Sequence, residues 1–486
     1  MRGLEVDLRS LALFRIALGL VMVVDLLQRL PQLTAFYTDQ GVLPRDAIIR
    51  FYGSQWLVSG HHMSGAWSVQ LLLFLLAVLF ATGFMVGYRT RLCALVSWVL
   101  LVSMHARNPF VLHGGDAVLR LLVFWSIFAP LNARLSLDRA LNPTEPALPV
   151  RHLSPASLAL VFQICGIYWF AAAEKMHPVW LIERTAVYYA MSLDQFATPV
   201  GRLLLEYPEI MRLMTTGTLM LELFGPILAI SPFFTAPLRI LVATSFIGFH
   251  LGLALTMRLD LFPWVCVAAW LAFLPGALWD RWEAWRASAG DRVSHSIAAG
   301  RLAAWPALAR LRPPPPRPIG VVGSLGVLFF LFLATASFLG ALSSRRGSVT
   351  RAFVHMTMLD QSWKMFAPYP SREDGWFVIE GLTEDGRRFD LWYGGSSPTE
   401  AKPADFRKAY PNTQWGAYLT GLRSGRKREY RPYFGRYLCR AWNDQHARAE
   451  RVRLVSINYM VEITPAPGER PTPAVPEVVW QQPCAG

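Results

Sequence analysis

The chain has 486 residues, of which 53% are hydrophobic and 16% charged, with a formal net charge of +14 and a positive mean hydropathy. Soluble domains carry about 25% charged residues, so the composition excludes an ordinary soluble protein and points to an integral membrane protein. It also argues against a nucleic-acid partner, because much of the arginine lies in short loops between apolar stretches, where it sets topology.

Apolar stretches of about membrane-spanning length fall at 10–28, 67–87, 91–105, 117–132, 156–174, 212–232, 237–256, 260–279 and 319–341. The expected fold is an all-α polytopic membrane bundle of about nine helices. Eighteen tryptophans suit aromatic belts at the bilayer surfaces. Arg15 interrupts the first stretch and no small-residue cleavage site follows, which argues against a cleaved signal.

Loop charge sets the orientation. The stretch Asp280–Pro318 carries seven arginines against three acids, with the Pro313–Pro316 run, and reads as cytoplasmic. Arg89 and Arg91, and the loop holding Arg134, Arg139 and Arg151, join the same side. Nine spans with a cytoplasmic N-terminus satisfy all three assignments, and place 175–211 and everything after about 342 outside the cytoplasm. A multi-pass protein of a bacterial inner membrane, in contact with membrane lipid, is the expected setting.

The expected domains are 1–341, the transmembrane unit, and 342–486, a small extracytoplasmic β-rich domain. Short alternating runs at 376–380, 388–393 and 452–457, punctuated by Asp374-Gly375, Asp385-Gly386 and Gly394-Gly395, predict strands and hairpin turns. The Pro-rich residues from about Thr464 predict a poorly ordered end. Cys93, Cys165 and Cys266 lie in apolar stretches, and whether Cys439 and Cys484 pair is open. No histidine or cysteine spacing argues for a metal.

The residues with chemical potential cluster at span ends. Lys175 ends an aromatic, apolar run (Gly166 to Ala173) within the tetrad Glu174-Lys175-Met176-His177. Such a lysine either snorkels to the headgroups or, kept uncharged by burial, serves as a base. His113 in His113-Gly114-Gly115-Asp116 is either a proton donor or acceptor at the surface or an ordinary solvated turn residue. His250 lies inside or near the outer end of an apolar span, where a histidine usually faces the bundle interior, as a hydrogen-bonded structural residue or, less often, a catalytic one. Arg15, Asp25, Arg120 and Glu222 are ionisable residues at membrane depth and are expected to pair inside the bundle, and His61-His62 to pack at the interface.

At these positions the chain resembles the horizontally transferred transmembrane (HTTM) domain family, which includes the vitamin K-dependent γ-glutamyl carboxylases. Phe14-Arg15-Ile16-Ala17-Leu18-Gly19, the segment Phe36 to Pro44, His113-Gly114-Gly115-Asp116, Glu174-Lys175 with Trp180, and Trp363 to Pro370 carry the resemblance over about residues 8–395. It implies that Lys175 is the base that takes the proton of reduced vitamin K or another quinol, with His113 in support. O₂ then oxygenates the ring, and the strong base so formed removes a γ-proton from a substrate glutamate, whose carbanion captures CO₂. It further implies a quinol pocket at His250 and Phe262, with an aromatic wall of Tyr168 and Trp169 that keeps water away. The expected partner is a secreted glutamate-containing peptide or protein. The same family includes members resembling helpers in toxin-peptide maturation, so a non-enzymatic accessory protein for maturation or export stands as the alternative.

Overall fold

The computed structural model describes residues 2–52, 59–144, 148–288, 313, 320–343, 357–395 and 397–484. Each expected apolar stretch is helical. The helices are α1 (Leu8–Arg29), α2 (Trp67–Val86), α3 (Thr90–Arg107), α4 (Gly114–Ser126), α5 (Pro155–Glu174), α6 (Pro208–Ala229), α7 (Thr235–Thr256), α8 (Leu261–Leu271), α9 (Gly276–Ser288) and α10 (Val321–Ser343). Most of the Asp280–Pro318 loop, including Pro314 to Pro316, lies outside the described residues.

The helix limits follow from local chemistry. The Asp7 carboxylate accepts from the Arg9 amide to cap α1. Ser154 and Ser157 form a reciprocal cap on α5, with Pro155 at the first helical position, where its missing N–H costs nothing. Gly87 ends α2 in the left-handed region (φ +75°), and a side chain there would meet Ser136 and Arg15 within 2.6 Å.

The count of nine spans is not reproduced. Among the described residues four helices are long and apolar enough to cross a membrane, at Leu8–Tyr37, Trp67–Val86, Pro155–Glu174 and Thr235–Thr256. A fifth is gained if α8 and α9, bent by 80° at their junction, are one broken span. For two of the expected spans the physical reason is length. A crossing takes about 20 residues, whereas α4 has 13 and α8 has 11. Helix α4 is buried along nearly its whole length, so its apolar sequence records packing among other helices.

Beyond α10 the chain forms a four-stranded antiparallel sheet of β1 (Glu373–Thr383), β2 (Arg388–Asp390), β3 (Val452–Ile463) and β4 (Val475–Pro483), in the order β2-β1-β3-β4. Between β2 and β3 lie several helices, the longest being α11 (Thr413–Arg423) and α12 (Arg431–Asn443), so this region is mixed rather than purely β. Gly386 (φ +84°) makes the expected turn between β1 and β2. Asp374-Gly375 makes none: Gly375 pairs with Val461 inside β1, where a side chain would strike the Met460 carbonyl. The expectation of a disordered end also fails for 475–483. This stretch is the edge strand β4, where a proline is tolerated, and Cys484 beyond it is disulfide-bonded to Cys439 on α12.

This region shares one hydrophobic core with the helical bundle. Trp415 of α11 packs on Phe36, with ring centroids 4.6 Å apart, and donates to Gln32 Oε1 at 3.0 Å. Tyr418 donates to the Val42 carbonyl at 3.2 Å. Each buried ring of this size is worth roughly 2–3 kcal/mol. The receiving loop is itself fixed, since Arg107 donates to the Leu43 and Thr38 carbonyls and Asn108 to the Phe36 carbonyl.

Candidate functional site

A cavity of about 1540 Å³ lies between α1, α5, α6, α7 and α8 and is bounded at one end by α11. It takes in Lys175, His113, His250, Tyr168 and Phe262. Leu20, Val24 and Trp264 also line it and are about half exposed on the outer surface of the bundle, so one rim is apolar and open at the sides of the helices.

Lys175 caps the C-terminus of α5, where its amide donates to the Ala172 carbonyl. Its ammonium does not snorkel outward. It is 4% exposed and donates to both carboxylate oxygens of Glu222 on α6, at 2.6 and 2.7 Å. The Trp180 ring lies 5.2 Å from Nζ and covers it. Lys175 is therefore buried against a carboxylate that the sequence does not assign to it. Glu222 was legible as an ionisable residue in an apolar span, but its partner lies 47 positions away and only helix packing reveals it.

His113 is the N-cap of α4. Its Nδ1 accepts from the Gly115 amide at 3.1 Å, which assigns its ring proton to Nε2, 3.5 Å from Asp116 Oδ2. The Asp116 carboxylate in return accepts from the His113 amide. Gly114 and Gly115 are required by close approach of protein. A side chain on Gly115 would come within 2.9 Å of the Phe262 backbone, and one on Gly114 within 2.8 Å of the Met365 sulfur.

His250 is fully buried on α7. Its Nε2 is 2.8 Å from the Tyr168 hydroxyl, which also accepts from Trp270 Nε1 at 2.9 Å. Because the indole can only donate, the tyrosine proton is free for His250 Nε2, and the imidazole proton belongs on Nδ1. That nitrogen has no hydrogen-bond partner among the described residues. Phe262 packs edge-on against the same imidazole, with centroids 5.5 Å apart.

Trp169 is not brought to the site. Successive helical residues are about 100° apart, so with Tyr168 facing the cavity its neighbour turns away, and Trp169 packs on the bundle core outside the lining. The other charges at membrane depth are satisfied structurally. Arg15 donates to the carbonyls of Met85, Leu131 and Leu135 rather than to a carboxylate. Arg29 bridges Asp25 and Asp116, and Arg120 donates to the Met358 carbonyl. His61 contacts Gln70 Oε1 through Nδ1 at 2.6 Å, a buried hydrogen bond rather than interfacial packing. Among the described residues no group of His, Cys, Asp or Glu is arranged to hold a metal.

These features define a helical membrane protein with a large interior cavity lined by two histidines and a buried lysine–glutamate pair. The HTTM domain model matches residues 4–278, more than half of the chain, and the protein belongs to that family. No curated protein and no solved structure matches it.

Proposed function

We propose that this HTTM-domain protein is a membrane enzyme of the vitamin K-dependent carboxylase type, which couples oxidation of a quinol by O₂ to carboxylation of glutamate in a polypeptide partner. The observation that carries the reading is that Lys175, His113 and His250 line one cavity whose open rim is apolar. A lipid-soluble quinol fits such a site: the rim at Leu20, Val24 and Trp264 offers entry from the bilayer. When bound, the quinol supplies the reducing equivalents for O₂ and, through its oxidation, the strong base that carboxylation of a glutamate γ-carbon requires.

The residues of the chain have distinct parts. Glu222 holds the Lys175 amine at the cavity wall and takes its proton, so that Nζ can accept one from a ligand hydroxyl. Tyr168 and Trp270 fix the His250 ring. Phe262, Trp180 and Met365 exclude water from the same volume. An extracytoplasmic position of the C-terminal region is supported by the Cys439–Cys484 disulfide, since such bonds persist in oxidising compartments.

One observation favours the non-enzymatic accessory reading: both Glu222 oxygens already occupy Lys175, as in a purely structural ion pair. Protein in nanodiscs, given reduced quinone, O₂, labelled CO₂ and a glutamyl peptide, separates the two. Labelled peptide and oxidised quinone are expected together, and the absence of both overturns the enzyme reading in favour of the accessory one.

A further inference from the structure

The chain turns by 80° between α8 and α9, and α9 is fastened to the first turn of α1. Trp279 donates to Ser10 Oγ at 2.7 Å, and Arg9 donates to Asp280 and Glu283 at 2.7 and 2.9 Å. Gly276 opens α9 because a side chain there would come within 2.7 Å of Asp7. Two helices long enough to cross a membrane, α1 and α7, begin at this end of the bundle, since Arg239 of α7 donates to the Gly3 and Glu5 carbonyls. Here the crossing helices meet the headgroups, and Phe233 and Phe234, just before α7, are 73% and 80% exposed. Leu278, Trp282 and Trp285 recur at i, i+4 and i+7 on one side of α9 and are 41%, 51% and 60% exposed. The two indoles lie against each other, with ring centroids 5.2 Å apart. At about 100° per residue, Arg281 and Arg286 fall on the two edges of this side. Asp280 and Glu283 fall on the other side, where Arg9 neutralises them.

We propose that this side of α9 is a membrane-surface site for anionic phospholipid, with Trp282 and Trp285 among the headgroups and upper acyl chains and Arg281 and Arg286 on the phosphates. The occupant follows from charge and from level. Arg9 takes the two acids out of the balance, so the charge offered outward is cationic, and the sequence from 287 to Pro318 adds five arginines and one acid. Arginines close to a bilayer surface draw anionic lipid. The indoles continue the aromatic level of Phe233 and Phe234, and at that depth an indole keeps its apolar body in lipid and its N–H in water. Aromatic rings edged by arginine suit the headgroup layer, where the arginine stem lies on apolar surface and its head reaches phosphate. The site is independent of the proposed quinol chemistry.

The test places a fluorophore on Leu278→Cys or, on the opposite side of the helix, on Ala287→Cys. Full-length protein is held in nanodiscs of equal phosphatidylcholine and phosphatidylglycerol, and a nitroxide quencher is carried on the acyl chains of one lipid or the other. Cys93, Cys165 and Cys266 are buried, and wild type treated with the same reagent supplies the background. Lipid quenching of the 278 label is expected to exceed that of the 287 label severalfold. Phosphatidylglycerol should quench the 278 label about fivefold more than phosphatidylcholine, the weight of one arginine at a charged surface. Arg281→Gln combined with Arg286→Gln should bring that ratio to near one, while quenching itself persists through the tryptophans. Each variant is checked for an intact Cys439–Cys484 bond and an unchanged elution volume. Equal quenching at the two positions, equal quenching by the two lipids, or a preference that survives the double substitution overturns the proposal. So does a 278 label shielded from both the lipid quencher and aqueous iodide, which would mean that protein, such as a second copy of this chain, covers this side.

Discussion

Two buried charge clusters of this protein, about Arg29 and about Lys175, are built from similar parts and differ in what surrounds them. Arg29 is fully enclosed. It donates to Asp25 at 2.9 Å, to Asp116 and to the Tyr37 hydroxyl, so one cation answers two carboxylates within the bundle. A guanidinium does not give up its proton in proteins, and the cluster has the character of a permanent brace between α1 and α4. Lys175 has one carboxylate partner, an aromatic lid and a cavity beside it. An amine can lose its proton to that carboxylate and regain one from a ligand. Charge that is closed and fixed holds helices together, whereas the Lys175 pair has a cavity on one side, which is what the proposed function draws on.

The largest effect is expected where the brace is cut. Arg29→Met leaves Asp25 and Asp116 buried without their cation, at a cost of about 3–5 kcal/mol. Thermal unfolding in nanodiscs should show this as a large drop in midpoint or as failure to purify a folded protein.

The next effect sharpens the contrast through pH, in a buried carboxyl outside the bundle. Asp374 in β1 accepts from the Asp194 amide, and burial pushes its carboxyl up to about 6 from the ordinary 3.8. A group raised in this way binds its proton more tightly in the folded state, so it stabilises the fold at low pH. Its contribution declines as pH rises from about 4 to about 6, by up to roughly 2–3 kcal/mol. Asp374→Asn should flatten this slope relative to wild type. Parallel pH profiles for the two proteins would show that the carboxyl does not titrate there.

For the open pair, Lys175→Met should cost less than cutting the brace, about 1–3 kcal/mol, because Glu222 can take up a proton once its partner is gone. Adding Glu222→Leu should restore most of that loss, since an apolar pair replaces a buried ionic one without leaving a charge behind. A double variant less stable than either single one would contradict the view that the pair is dispensable for folding. The smallest effect is expected from Tyr168→Phe, which removes the bonds to His250 and Trp270 for about 1 kcal/mol and leaves the cavity intact.

Much of this arrangement is visible in the sequence, for a simple reason. A polar residue within or at the end of an apolar stretch stands out, as His250 and Lys175 do, and His113 is marked by its His-Gly-Gly-Asp turn. Which polar residues meet is a matter of packing, so the Lys175–Glu222 contact and the Asp116–Arg29 bridge are not legible. Trp169 was misplaced by reading two adjacent aromatics as one wall, which helical geometry forbids. The span count rests on apolar composition, which marks burial in protein as readily as burial in lipid, and α4, with 13 residues buried almost throughout, is the clearest case. In the C-terminal region the alternating runs give β1 and β3. The edge strand β4 and the disulfide beside it depend on pairing with β3 and α12, which proline content does not reveal.

In the proposed function Lys175 is the movable charge. Its most direct test is the rate of quinone-epoxide formation from reduced quinone and O₂, compared between wild type and Lys175→Ala in the same nanodiscs. The account predicts measurable epoxide from wild type and a loss of about 10²–10⁴-fold in a variant that remains folded, the range that a general base contributes. Equal rates from the two proteins would contradict it.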